Sequence, residues 1–162
     1  MKICGDLIDI LWTWDDVAMQ TGMIFPREMW QKFFKNRLRK ICDLAKKYNL
    51  KMMYHCCGSP IEILPDLIEI GVDILSPIQT SAKGMDPKKL KKEYGKDLCF
   101  HGGIDTQQLL PFGTEEQVRD AVRYNIEALG PRYIVASSHV LNDCIPVNNV
   151  IAMFDEAINY KL

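Results

Sequence analysis

The stretch KMMYHCCGSPIE, residues 51–62, decides how the chain is read. Lys51–His55 is a brief, mostly apolar run, short for a helix and ending on a histidine. Cys56, Cys57 and Gly58 follow. Ser59-Pro60-Ile61-Glu62 then supplies an N-cap, a proline at the first helical position and a capping-box glutamate, with a stop at Gly71. A strand, a glycine exit and a helix start within one short segment make the beginning of a βα unit.

The same order recurs on both sides. Upstream, Leu7–Trp14 ends in Asp15-Asp16 and precedes a helix from about Arg27 to Tyr48, with Trp30, Phe33 and Phe34 in its core stripe. Downstream, Val72–Leu75 leads through Ser76-Pro77-Ile78-Gln79 to a helix starting at Asp86-Pro87 and stopping at Gly95. Its lysines, Lys88, Lys89, Lys91 and Lys92, read as a solvated face. Leu98–His101 is followed by a glycine-rich loop, then by a helix boxed by Thr114 and Gln117 that ends before Gly130. Tyr133–Ala136 precedes a last helix from about Pro146 to Tyr160. Strict alternation of strands and helices gives a parallel sheet, because parallel neighbours need a crossover connection.

Five units fit an open doubly wound sheet or five of the eight units of a (β/α)8 (TIM) barrel, which typically needs roughly 250 residues. The polar residues favour the barrel. Asp15 and Asp16, His55 and Cys57, Gln79, His101 and Asp105, Ser137 and His139 all fall at expected strand ends, where a barrel gathers its loops at one mouth. All three histidines of the chain are among them. The expectation is an α/β fold in a single domain over residues 1–162, a partial barrel with one site.

Composition bounds the function. The 162 residues are 48% hydrophobic and 25% charged with net charge −1, which gives no electrostatic footprint for nucleic acid. No run of about 18 apolar residues offers a membrane span. The first residues, MKICGDLIDILW, do not read as a secretory leader. Six cysteines without a leader read as reduced thiols in a cytoplasmic setting.

His55 and Cys57, two apart after a strand, bring imidazole and thiolate together, the ligands zinc favours. A catalytic zinc site needs a third ligand, and His139, Cys144, His101 and Asp16 are candidates. Without metal, Cys57 reads as a small buried hydrophobe and His55 as a hydrogen-bonded rim residue. Cys56 points the other way, into the core. Asp16, Gln79, His101 and Asp105 are candidate catalytic groups. Asp15-Asp16 equally reads as a pair capping the loop to the Arg27 helix, Asp105 as a turn or helix cap.

The segments WDDVAMQTG (14–22), YHCCGS (54–59), GVDILSPIQTSAKGMDP (71–87), FHGGIDTQQLLPFGT (100–114) and SSHVLNDCIPVNNV (137–150) resemble the uroporphyrinogen decarboxylase superfamily over almost the whole chain. That superfamily holds the haem-pathway decarboxylase and zinc-dependent methyltransferases that work with corrinoid proteins. The resemblance implies a C-terminal portion of such a barrel. His55, Cys57 and Gly58 match the methyltransferases' His-x-Cys-Gly zinc segment. Laying Ile145–Val150 on their later TP-x-EN-like motif puts His139 at the place of their third ligand, a cysteine, while Cys144 is offset by five residues. The implied activity is zinc-dependent methyl transfer between a corrinoid protein and a thiol or other small acceptor. Two alternatives stand beside it. One is decarboxylation in porphyrin biosynthesis, although no arginine here follows a strand and porphyrinogen carboxylates need cationic partners. The other is an inactive truncated chain or half-barrel, whose open edges call for self-association or an N-terminal half-barrel partner.

Overall fold

The computed structural model describes residues 7–161; residues 1–6, the first half of MKICGDLIDILW, lie outside it. Strand β1 (Ile10–Trp14) begins three residues later than expected. Its length is set by its neighbour β4 (Lys51–His55), whose first residue stands opposite Ile10. Between them lie a short antiparallel pair, β2 (Ala18–Met19) and β3 (Gly22–Met23), where the sequence reads as loop, and one long helical run, α1. That run comprises Arg27–Trp30, a π-helical stretch Gln31–Lys35, and Asn36–Lys47. A π turn widens the helix and rotates the next turns about its axis. Trp30 is fully buried, Phe34 packs at the edge of the core, and Phe33 is turned out under Lys32 instead of joining the expected stripe.

A 3-10 turn, Ile61–Ile63, leads into α2 (Leu64–Glu69), and β5 (Ile74–Ile78), α3 (Pro87–Tyr94) and β6 (Cys99–Ile104) come after it. Then come the short α4 (Leu109–Phe112), α5 (Glu115–Leu129), β7 (Tyr133–Ser137) and α6 (Val147–Asn159). Two expected helix starts hold. Asp86 caps α3 through Lys89 N, and Thr114 with Gln117 forms a full capping box on α5. The box at Ser59 does not form, because Ser59 is buried and used elsewhere. Its Oγ donates to Lys83 O at 2.5 Å and its N–H to Met19 O at 3.0 Å.

Five strands make one parallel sheet in the order β1-β4-β5-β6-β7. Helices follow the strands of this sheet, so the fold is α/β and resembles part of a (β/α)8 barrel. Strand β7 runs one residue further than expected, to Ser137, and two strands run further still. Ser76, Pro77 and Ile78 belong to β5, with a register shift between Leu75 and Ile78 where proline cannot donate to the ladder. Gly102 and Gly103 belong to β6. A Cβ on Gly102 would stand 3.0 Å from both Ile78 N and Pro77 Cβ, so glycine lets β6 run close against that irregular stretch. One apolar core joins β4, β5 and β6 to α1, α2 and α3, and a smaller one lies under α5 and α6. Among the described residues, β1 and β7 are the sheet's two open edges. No described helix is long and apolar enough to cross a membrane.

Candidate metal centre

The register of the sheet assembles the site. His55 closes β4 directly opposite Trp14, the last residue of β1, and Asp15 N–H donates to His55 O at 3.1 Å. That bond carries the β1 exit across the end of β4, and Asp16 comes next with its Oδ1 accepting from Cys57 N–H at 2.9 Å. Cys57 Sγ lies 3.5 Å from His55 Nε2, which lies 3.7 Å from Asp16 Oδ1. One donor atom from each of the three is within 4.8 Å of the others. Asp16 is therefore the third member of this cluster. His139 is exposed on the turn after β7 and lines cavities beside the cluster without joining it, and Cys144 is exposed farther along that loop.

The donor set fits a cation of zinc's kind. Ligands at about 2.0–2.3 Å around a tetrahedral ion lie about 3.3–3.8 Å apart, a range that includes both the Cys57–His55 and the His55–Asp16 separation. The electrostatics agree. Burial lowers the His55 pKa against the opposing pull of Asp16, so its imidazole is neutral and able to ligate near pH 7. Burial, and then the Asp16 carboxylate, push the Cys57 thiol up to about 11. A carboxylate, a neutral imidazole and a protonated thiol held together gain from a cation that replaces the thiol proton. Cys56 is fully buried as expected, its thiol pushed up to about 12 by burial.

Gly58 shapes this corner. It has φ +77°, and a Cβ there would lie 2.5 Å from Met19 O, so the β2–β3 hairpin can close over the loop only above a glycine. Gln79, after β5, is a brace. Its Oε1 accepts from Gly58 N–H at 2.9 Å and Gln20 Nε2 at 2.5 Å, and its Nε2 donates to Ser138 O at 3.3 Å. Asp105, after β6, accepts from Gln108 N–H and Leu109 N–H at 2.7 and 3.1 Å, closing the turn into α4. Asp15 faces its neighbour Asp16, and burial together with that repulsion raises its pKa.

His101 lies three residues inside β6 rather than at its end, yet its ring reaches the mouth. A cavity of about 240 Å³ is lined by His55, His101 and His139 together with Trp12, Ser76 and Ser137. Ser76 Oγ is 2.9 Å from His101 Nδ1, and burial, then the nearby His55, lower the His101 pKa. Trp12 stands edge-on to His55 with ring centroids 5.9 Å apart. Neither Trp12 nor Ser76 is expected in the site from the sequence. The period of two that puts Trp12 and Trp14 on one face of β1 is the available signal; for Ser76 the neighbouring proline conceals that it lies within a strand.

Comparison with known proteins identifies the family. The family model for uroporphyrinogen decarboxylase (URO-D) matches residues 11–160. The chain belongs to that family. Among 17 matching chains of solved structures is a methyltransferase from Methanosarcina mazei, at TM-score 0.74 and 23% identity. The match covers 94% of this chain and 42% of that one, so the chain spans well under half of the methyltransferase. At this identity the likeness concerns the fold, and it fits a URO-D barrel represented by part of its units. No curated protein sequence matches.

Proposed function

We propose that this chain is a methyltransferase-like member of the URO-D family that works with zinc, moving a methyl group between a corrinoid protein and a thiol or other small acceptor. The observation that carries the reading is the Asp16–His55–Cys57 cluster at the mouth of the sheet. His55, Cys57 and one of Asp16 or His139 would hold the metal, with Cys144 as the distant alternative. A bound zinc would supply Lewis-acid stabilisation of a deprotonated acceptor at neutral pH.

The chain's own groups do the rest. His55 offers a neutral nitrogen, and Cys57 gives up its proton when the cation arrives. Gln79 fixes the Gly58 backbone and so the direction of Cys57. His101, held at Nδ1 by Ser76, has no protein partner on its other ring nitrogen among the described residues and can exchange a proton with a small acceptor in the cavity. Asp105 orients the turn beside it. A reducing, cytoplasmic setting suits a thiolate ligand, and the remaining barrel units would come from further sequence of the same polypeptide or from a second chain. The decarboxylase reading has the family's name behind it. However, among the described residues no arginine or lysine lines either the three-histidine cavity or the adjoining one bounded by Asp16, Cys57, Gln79 and His139, and porphyrinogen carboxylates would require such partners.

The test is zinc content per chain by elemental analysis after reconstitution, alone and with any chain that supplies the other units. The expected result is one zinc per wild-type chain, little in His55→Ala or Cys57→Ala, and full content in Cys56→Ala. A folded wild type that holds no zinc in either arm ends this reading and leaves a metal-free URO-D relative.

A further inference from the structure

Trp12 and Trp14 stand at the mouth, and the metal reading gives them no role. They lie opposite Met53 and His55 in the β1–β4 register, so their side chains share the face of the sheet that carries His55, whereas Leu11 packs on the other face, in the core. In a barrel the His55 face is the lumen, and its residues at the C-terminal strand ends line the mouth. The two ring centroids are 5.3 Å apart with 48° between the planes, so the indoles form two angled walls rather than a stack. Trp12 also lines the three-histidine cavity, with its ring centroid 5.9 Å from that of His55. The core of the described residues uses neither ring, and they remain 54% and 62% exposed.

We propose that these indoles form a subsite for an alkylammonium group carried by the small acceptor at this mouth. That the occupant is the acceptor rests on the methyl-transfer reading; the subsite itself needs only the rings and their surroundings. Three features select a cation. Tryptophan offers the strongest π face for one, within about 6 Å of the ring centroid. Among the described residues no lysine or arginine lines the three-histidine cavity, so no fixed positive charge competes there. The Asp16 carboxylate, 3.7 Å from His55 Nε2, adds a negative charge on the same rim. Zinc would not reverse that balance, because the Asp16 carboxylate and the Cys57 thiolate offset its charge. A carboxylate or sulfonate tail would meet π faces and a carboxylate, with no partner of its own. Further βα units would close the lumen across from the indoles, and a cation–π contact gains strength as water is excluded.

The probes are choline and dimethylbutanol, its uncharged isostere with carbon in place of nitrogen. Each is titrated, by ligand-observed nuclear magnetic resonance, into the protein together with any chain that supplies the other units. Choline should bind about tenfold tighter than the isostere, with zinc and without it. Trp12→Leu keeps an apolar side chain and should remove that preference while leaving isostere binding and zinc content unchanged. Trp12→Phe should restore part of the preference, and circular dichroism checks that each variant is folded. Thiocholine distinguishes the sources of the cation. Tighter binding to zinc-loaded than to zinc-free protein gives the cation to a thiol acceptor, and equal binding gives it to an acceptor without a thiol. Equal affinity of wild type for choline and the isostere overturns the inference and leaves the indoles as apolar walls. So does a preference for choline that is unchanged in folded Trp12→Leu. The choline arms need no zinc, so they can fail in a protein that holds the metal, whereas a zinc-free protein that still selects choline ends the metal reading alone.

Discussion

The two ends of the same five strands use their polar groups in opposite ways. At the N-terminal end Asp73 accepts from Met52 N–H at 2.8 Å and pairs with Lys51 Nζ at 3.3 Å, while Arg132 donates to the carbonyls of Lys96 and Asp97. Each of these groups answers a neighbour across adjoining loops. At the C-terminal end two lowered imidazoles, a raised thiol and the Asp16 carboxylate gather at the mouth, and among the described residues no lysine or arginine lines the cavities there. Burial there works against the charged forms instead of being relieved by partners. That imbalance separates a site built to receive something from one built to hold the fold together.

The largest effect that sharpens this contrast concerns the third ligand. Asp16→Asn keeps an acceptor for Cys57 N–H but removes the anionic donor, so zinc affinity should fall about 10–100-fold, measured by competition with a chelator. His139→Ala should cost less, because His139 stands outside the cluster. The opposite ranking would mean that the turn after β7 closes on the metal, as the motif alignment implies.

Gly58→Ala comes next. Strain at a positive φ and a Cβ at 2.5 Å from Met19 O should cost about 2–4 kcal/mol in chemical denaturation. A near-neutral result would show that the hairpin can lift off the site. The pH dependence of metal binding is gentler. Cys57, with its pKa at about 11, holds its proton across the neutral range, so each zinc bound releases one proton and affinity should rise about tenfold per pH unit. Below His55's own transition, which burial places under the usual imidazole value, a second proton must leave and the slope should double. A flat profile around pH 7 would remove Cys57 from the ligand set.

Much of this is legible in the chain. Short apolar runs, caps at Asp86 and Thr114 and histidines near strand ends give the parallel sheet and its mouth, because each is a local signal with a local cause. The features that stay hidden are tertiary. The glycines at 102 and 103 read as a loop, since their need for close approach to Pro77 and Ile78 exists only once β5 and β6 are side by side. Ser59 reads as a cap, but Met19, in a hairpin forty residues upstream, claims its amide. Asp16 is one candidate ligand of four, and only the β1–β4 register brings it to Cys57. The hairpin itself has too few residues to carry a periodic signal.

The smallest prediction tests the quiet end of the sheet. Asp73 has two roles that substitution separates. Asp73→Asn keeps an acceptor for the buried Met52 N–H and loses only an exposed ion pair, which should change stability by less than about 0.5 kcal/mol. Asp73→Ala strands that amide away from its acceptor and should cost about 1–2 kcal/mol. Neither should alter zinc stoichiometry, because the strands run their full length between this carboxylate and the Asp16–His55–Cys57 cluster. The measurement is a pair of denaturation curves with metal content determined on the same preparations. Equal losses in the two variants would show that the Lys51 charge, not the amide, is what Asp73 serves. A drop in zinc with stability intact would mean that the two ends are coupled through β4, and the division of labour between them would fail.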